Sequence, residues 1–315
     1  MTTRRQFLKA GLFAAAAATL PQQMLFSQTV GAQTTAQTTE QKWGITLALQ
    51  TWTLRQLPAE NRPICFEEAV KITRAAGIKE VEIAGGNTWW CGERRRTVSL
   101  NAEERQRLRD LLEENGVRAI SLGGSQGSVE DFEFAKEMGL QFLQGEPRPP
   151  GGQPFEDAAV IERLIEVSRR AAEYGIRYSL HNHAYPTLYW DYRETMRRLQ
   201  DCDPAMGICP DLGHFIRSGF DPVEVIRYCK GRIVSVHLKD LNGVNPTNDP
   251  DVRRSLRDVA WGTGYGQVEA VLRELQSQEF VGPVIIEYDH IYPDGNVADV
   301  NQCAEFFRKV MGKSA

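Results

Sequence analysis

Ile233-Val234-Ser235-Val236-His237-Leu238-Lys239-Asp240 alternates bulky apolar residues with small, polar or ionisable ones and ends on charge. Alternation with period two is the mark of a strand whose two faces meet different surroundings. The pattern recurs along the chain, in runs at 44–52, 80–86, 119–125, 142–147, 178–183, 207–214 and 283–289. Helical periodicity fills the intervals, at 66–76, 102–115, 158–174, 268–278 and 300–311, where Val300, Cys303, Phe306, Phe307 and Val310 share one face. Gly77, Gly116, Gly139 and Gly175 stand just past helix ends, where a left-handed cap is wanted. Strands alternating with helices call for a parallel sheet, and eight such units over 43–315 predict a (β/α)8 TIM barrel. In the first run Ile45, Leu47 and Leu49 oppose Thr46, Ala48 and Gln50. In the third, Ile120 and Leu122 oppose Ala119, Ser121 and Gly123. In 233–240, Val234, Val236 and Leu238 oppose Ser235, His237 and Lys239. The bulky faces are expected against helices and the small, polar faces in a narrow interior. An open doubly wound sheet would want a Gly-rich turn after its first strand, and Gln50-Thr51-Trp52-Thr53 is not one. Gly262-Thr263-Gly264-Tyr265-Gly266 follows a loop, which argues against a dinucleotide motif.

The chain of 315 residues has 42% hydrophobic and 25% charged residues, the balance of a globular protein. Lys plus Arg is 37 against 41 Asp plus Glu, and the first 32 residues hold Arg4, Arg5 and Lys9 with no acid, so the remainder is more acidic than the net −4. Such a surface is poorly suited to a phosphate backbone, so no nucleic acid is expected, and a small-molecule partner is. The apolar run 10–20 is too short to span a membrane but suits a signal peptide, with Val30-Gly31-Ala32 offering small residues for cleavage. Arg4-Arg5 followed by Phe7-Leu8-Lys9 resembles the twin-arginine export signal. That resemblance implies export of a folded protein to the periplasm or beyond, with no stable membrane insertion after signal removal. Residues 1–32 read as signal, 33–42 as a polar, disordered linker. The six cysteines are scattered without a Cys-x-x-Cys pair, so a zinc ribbon is excluded while disulfides and self-association into a homo-oligomer stay open.

All five histidines lie after residue 180. In a barrel the carboxyl ends of the strands carry the active face. On the inward parity the last residues are Glu82, Glu146, His181 with His183, Asp211, His237 with Lys239, and Glu287. Carboxylates brought together repel, a divalent cation removes that cost, and the imidazole–carboxylate mixture suits a transition metal better than calcium. Taken singly, each His could be a hydrogen-bonded core residue, Glu82 a partner of a neighbouring base, and Lys239 the counter-ion of Asp240. Trp52, Trp89 and Trp90 could be core or could stack on a sugar.

His181-Asn182-His183, Cys209-Pro210-Asp211-Leu212-Gly213-His214, Asp221-Pro222, Val236-His237-Leu238-Lys239-Asp240 and Ile286-Glu287-Tyr288 together resemble the sugar phosphate isomerase/epimerase-like family of xylose isomerase-like barrels. The resemblance covers essentially everything beyond the leader. It implies one divalent metal (Mn, Co, Zn, Fe or Mg) held by Asp211, His237 and Glu287, with His181 standing where the fifth strand usually offers Glu. It also implies a carbohydrate substrate, for which Glu82, Trp52, Trp89 and Trp90 are the candidate contacts. The chemistry such a site favours is proton abstraction beside a carbonyl, with Glu287 or Glu146 as base and His183, His214 or Lys239 returning a proton or holding an oxygen. Return of the proton to carbon makes an isomerase or epimerase of a keto-sugar or polyol derivative. Departure of a β-oxygen makes a lyase or dehydratase, including cleavage of a 3-keto-glycoside. An abasic-site endonuclease would need His ligands from early strands, and no His precedes 181. A non-catalytic sugar-binding barrel would not need the Asp211, His237 and Glu287 set.

Overall fold

The computed structural model describes residues 44–85, 88–90 and 93–312; the expected leader and linker lie outside them, as do the side chains of Trp89 and Trp90. Each of the eight expected runs overlaps a strand, four of which begin one residue earlier: β1 (Ile45–Gln50), β2 (Glu80–Ala84), β3 (Arg118–Gly123), β4 (Phe142–Gly145), β5 (Arg177–His181), β6 (Met206–Cys209), β7 (Val236–Leu238) and β8 (Gly282–Ile286). They form one eight-stranded parallel sheet in the order β6-β5-β4-β3-β2-β1-β8-β7. Single parallel bridges, Ile208 with Ile233 and Asp211 with His237, join β6 to β7 and close the barrel. The fold is a (β/α)8 TIM barrel.

Helices separate the strands. The longest are α1 (Phe66–Ala75), α2 (Ala102–Glu114), α3 (Val129–Met138), α4 (Asp157–Tyr174), α9 (Val268–Ser277) and α10 (Val297–Met311), with shorter α5 (Tyr192–Arg198), α6 (Leu212–Arg217), α7 (Pro222–Tyr228) and α8 (Pro250–Ser255) among them. Their ends obey local chemistry. Asn101 with Glu104, and Ser128 with Asp131, form reciprocal capping boxes. Asp191, Asp211, Asp221 and Asp249 cap α5 to α8 with their carboxylates.

The main core lies between sheet and helices and takes in Ile45, Leu49, Leu122, Val236 and Leu238 from the strands. Burying each such side chain contributes roughly 1.5–3 kcal/mol. A smaller cluster of Ala48, Ile120, Phe142, Val234 and Ile285 plugs the barrel interior. Two of these correct the expected parity. A register shift against Val81/Glu82 inserts an extra residue in β3, so Ile120 turns inward while Ala119 joins the outer core. Residues 234 and 235 precede β7 in irregular backbone, which lets Val234 face the interior plug although alternation put it outside.

Beyond β7 the chain makes an excursion. Asp240–Leu241 pairs antiparallel with Asp258–Val259, and the Gly-rich segment rejected as a nucleotide loop wraps the Asp240 carboxylate. Gly262, Gly264 and Gly266 donate their N–H groups to it at 2.9, 3.0 and 2.7 Å. Lys239 therefore is not the counter-ion of Asp240.

Gly145 ends β4 against the loop that follows β3. A Cβ there would stand 2.0 Å from the Ser125 carbonyl oxygen. Since backbone cannot rotate away, Gly145→Ala should destabilise the fold by at least the roughly 1–3 kcal/mol typical of overpacking. Chemical denaturation will read this as a lower midpoint at unchanged slope; an unaltered midpoint would contradict the close approach.

Candidate metal centre

Asn182 ties the ends of β5 and β6 together: its side chain accepts the Asp211 N–H at 2.9 Å and donates to the Asp211 carbonyl at 3.4 Å. Asp211 then divides its carboxylate. Oδ1 caps α6 by accepting the His214 N–H at 2.9 Å, while Oδ2 faces His181 Nε2 at 3.3 Å and Lys239 Nζ at 2.8 Å.

His237 uses both ring nitrogens. Nδ1 lies 2.5 Å from Glu287 Oε2 and Nε2 lies 2.8 Å from Glu82 Oε1. Glu82 also accepts from Gln50 Nε2 at 2.9 Å and from Ser121 Oγ at 2.7 Å. Burial would raise the Glu82 carboxyl, but His237, Ser121 and Gln50 outweigh it and keep it lowered. Glu82 was expected at the substrate. It is fully buried and orients His237 instead, because it sits one layer below the strand ends.

The ligand atoms of His181, Asp211, His237 and Glu287 lie within 4.8 Å of one another, and all four residues are buried. Two nitrogens and two carboxylate oxygens suit a divalent transition metal or magnesium. Glu82 behind His237 is the outer carboxylate that commonly fixes a ligating imidazole. The residues therefore fit a single bound metal. Burial alone would lower the His181 pKa. Asp211 and Glu287 overcome it and raise the imidazolium to about 10. His237 moves up as well, against burial, through Cys209, Glu287 and Glu82.

Lys239 is fully buried, with Nζ 2.8 Å from Asp211 Oδ2, 3.2 Å from Glu287 Oε2 and 3.1 Å from Asp289 Oδ2. Expected to handle protons at the substrate, it lies behind the carboxylates as their counter-charge. Arg217 braces the same corner, 2.8 Å from Asp289 Oδ2 and 3.2 Å from Asp258 Oδ1. Asp258 Oδ2 in turn accepts the N–H groups of Asp289 and His290 at 2.9 and 2.8 Å. His214 is buried; burial, then Lys239 and His183, push its imidazole down to about 3 against Asp211 and Asp289. Held in its neutral form, it is better suited to holding an oxygen than to returning a proton, the two roles expected of it.

Above this floor opens a cavity of about 440 Å³, lined by Trp52, Glu146, His183, Glu287 and Asp289 among others. Glu146 Oε1 stands 2.9 Å from the half-exposed His183 Nδ1, and Oε2 is 3.1 Å from Arg148. Burial opposes its ionisation, yet His183, His181 and Arg148 bring it down to about 2, so it is a carboxylate. Trp52 lines the same wall, with the Arg55 guanidinium 4.3 Å from its ring centroid. Asp289, Gln126, Gln144 and Arg148 also line it and were not singled out from the sequence. Asp289 and Gln144 share the inward parity of their strands. Gln126 and Arg148 come from loops, where alternation says nothing.

A deep, closed barrel with imidazoles and carboxylates gathered at its carboxyl end defines the class. The family model of xylose isomerase-like TIM barrels matches residues 70–310, and the chain belongs to that family. It is 28% identical over 194 residues to the rhizopine catabolism protein MocC of Rhizobium meliloti, covering 61% of this chain and 53% of that protein. The chain thus spans about half the length of that relative. An inosose dehydratase of Mesomycoplasma hyopneumoniae is 26% identical over 218 residues, covering 60% of this chain and 67% of its own. A xylose isomerase-like barrel from Mycobacterium smegmatis, solved with magnesium, shares the fold at a TM-score of 0.63 and 16% identity, over 86% of this chain and 97% of the other.

Metal binding is directly measurable. Asp211→Ala should abolish stoichiometric uptake, and Glu82→Gln should weaken it roughly 10- to 100-fold. Because His181 holds its proton to about pH 10, uptake near neutral pH should release protons and weaken as pH falls. Calorimetry in buffers of different ionisation enthalpy will detect that release. Full occupancy in Asp211→Ala would defeat the assignment.

Proposed function

We propose that the protein is a metal-dependent sugar isomerase or epimerase that enolises a keto-sugar or polyol derivative. The observation that carries this reading is the placement of Glu287 and Glu146 on one cavity, with the His181, Asp211, His237 and Glu287 set at its floor. Those four residues would hold one divalent ion, which when bound supplies Lewis acidity to stabilise an enediolate. The contacts of Glu287 with His237, His181 and Lys239 all use Oε2. Oε1 is the atom that would take the proton from the carbon beside the carbonyl. Glu146, ionised in the resting site and backed by His183, would first have to take a proton from solvent or a substrate hydroxyl before delivering it to carbon, while Glu287 gives the abstracted proton back to solvent. Trp52 offers an aromatic surface to the apolar face of a sugar.

A lyase reading has its own support. His181 replaces a carboxylate with an imidazole, which leaves the metal site less negative, and the likeness to an inosose dehydratase extends over much of the chain. In that case His183 would protonate a departing β-oxygen.

Keto-sugars and keto-glycosides incubated with the metal-loaded protein in deuterium oxide should take up deuterium at the carbon beside the carbonyl. Glu146→Gln should keep its metal while product formation falls roughly 100-fold or more, the scale of a lost acid–base group. Unchanged turnover in that variant would remove Glu146 from the mechanism, and absence of deuterium uptake across the panel would overturn enolisation.

We further propose export by the twin-arginine route, supported by Arg4-Arg5 and the apolar run that follows. Replacing both arginines by lysine should retain folded precursor in the cytoplasm; normal export of the double variant would exclude the route.

A further inference from the structure

We infer that the cavity is built for an uncharged, polyhydroxylated substrate and rejects phosphate esters. The inference rests on the carbohydrate reading above and narrows it. Its basis is how the cationic and N–H donors near the cavity are already committed.

Among the described residues lining the cavity, the one guanidinium belongs to Arg148, and it is 3.1 Å from Glu146 Oε2. The cations just behind the wall are engaged as well. Lys239 meets Asp211, Glu287 and Asp289, and Arg217 meets Asp258 and Asp289. Arg55 donates to the carbonyls of Trp52, Tyr288 and Asp289 at 2.9, 3.1 and 2.6 Å. The cavity surface itself carries Glu146, Glu287 and Asp289.

The Gly-rich stretch Gly123-Gly124-Ser125-Gln126-Gly127 leads into α3 and has the look of a phosphate cradle. Three of its N–H donors are turned to the protein. Gly124 N–H goes to Gln144 Oε1 at 3.1 Å, Ser125 N–H to the Gln144 carbonyl at 2.9 Å, and Gly127 N–H to Ser125 Oγ at 2.9 Å. At the start of α3, where a phosphate would seek the positive end of the helix, Asp131 Oδ2 accepts from Ser128 N–H at 3.1 Å and from Ser125 Oγ at 2.8 Å. A side-chain carboxylate already holds that position. A phosphate dianion entering here would lose water and meet carboxylates without gaining an unpaired cation among the described residues. Hydroxyl groups fit better: Gln50, Gln126 and Gln144 bring amides to the wall, and a hydroxyl can donate to the carboxylates.

Matched pairs test this on the metal-loaded protein: D-fructose against D-fructose 6-phosphate, and myo-inositol against its 1-phosphate, by calorimetry and by competition. The neutral member should bind at least tenfold more tightly, and Arg148→Met, which strips Glu146 of its cation, should not bring the ester closer to its neutral partner. An ester that binds as tightly as its neutral partner, in the native protein or in Arg148→Met, would overturn the inference. The two readings fail separately. Tight ester binding with deuterium uptake removes only the charge inference, whereas neutral binding without deuterium uptake removes only enolisation.

Discussion

Mutual repulsion among buried carboxylates is the constraint on which the rest of the site depends. Glu82, Asp211, Asp258 and Glu287 are all buried at one end of the barrel, with Asp289 beside them. Carboxylates that close cannot all stay ionised in a dry interior unless positive charge is interleaved. Lys239 and Arg217 supply part of it as permanent cations. The imidazoles of His181 and His237 supply the remainder in a form that can be exchanged, since each can give up a proton when a divalent ion takes over the neutralising role. Metal binding and protonation are therefore alternative ways of satisfying the same surplus of negative charge.

This division of labour explains why the residues are layered. Glu82 and Lys239 never reach the cavity, yet they set the orientation of His237 and hold the carboxylates in place. Closure of the barrel contributes too. The seam between β6 and β7 is closed by isolated bridges, and one of them joins Asp211 directly to His237. Two groups expected to share an ion are fixed relative to each other by backbone, which limits the reorganisation needed to bind it.

Much of the architecture was legible because strand alternation and helix punctuation are local properties. The eight runs and the inward residues His181, Asp211, His237 and Glu287 follow from parity, and five of the six longest helices follow from their apolar spacing, whereas α3 (Val129–Met138) was not among the stretches read from sequence. Ile120 and Val234 escaped it because a bulge and an irregular entry into β7 depend on pairing with neighbouring strands. Roles were harder to read than positions. Parity put Glu82 and Lys239 on the right face but could not say how deep they lie, and depth separates a substrate contact from a support. Arg217 and Gln126, from a helix and a loop, reach the site through tertiary packing that carries no periodic signature.

The cradle around Asp240 has a consequence for how such a barrel can diversify. Three glycine amides and a short antiparallel pair clamp the excursion at its root, immediately beyond Lys239. Residues 242–257 lie outboard of that clamp and are anchored to α6 at two further points, by the Asn245 side chain, which donates to the Arg217 carbonyl at 2.8 Å, and by Leu256 packed against Ile216. Changes confined to the largely exposed residues 246–255, between those anchors, should leave the strand that bears His237 undisturbed. The glycines are thus a modular joint, and a natural place to graft foreign loops when engineering new specificity.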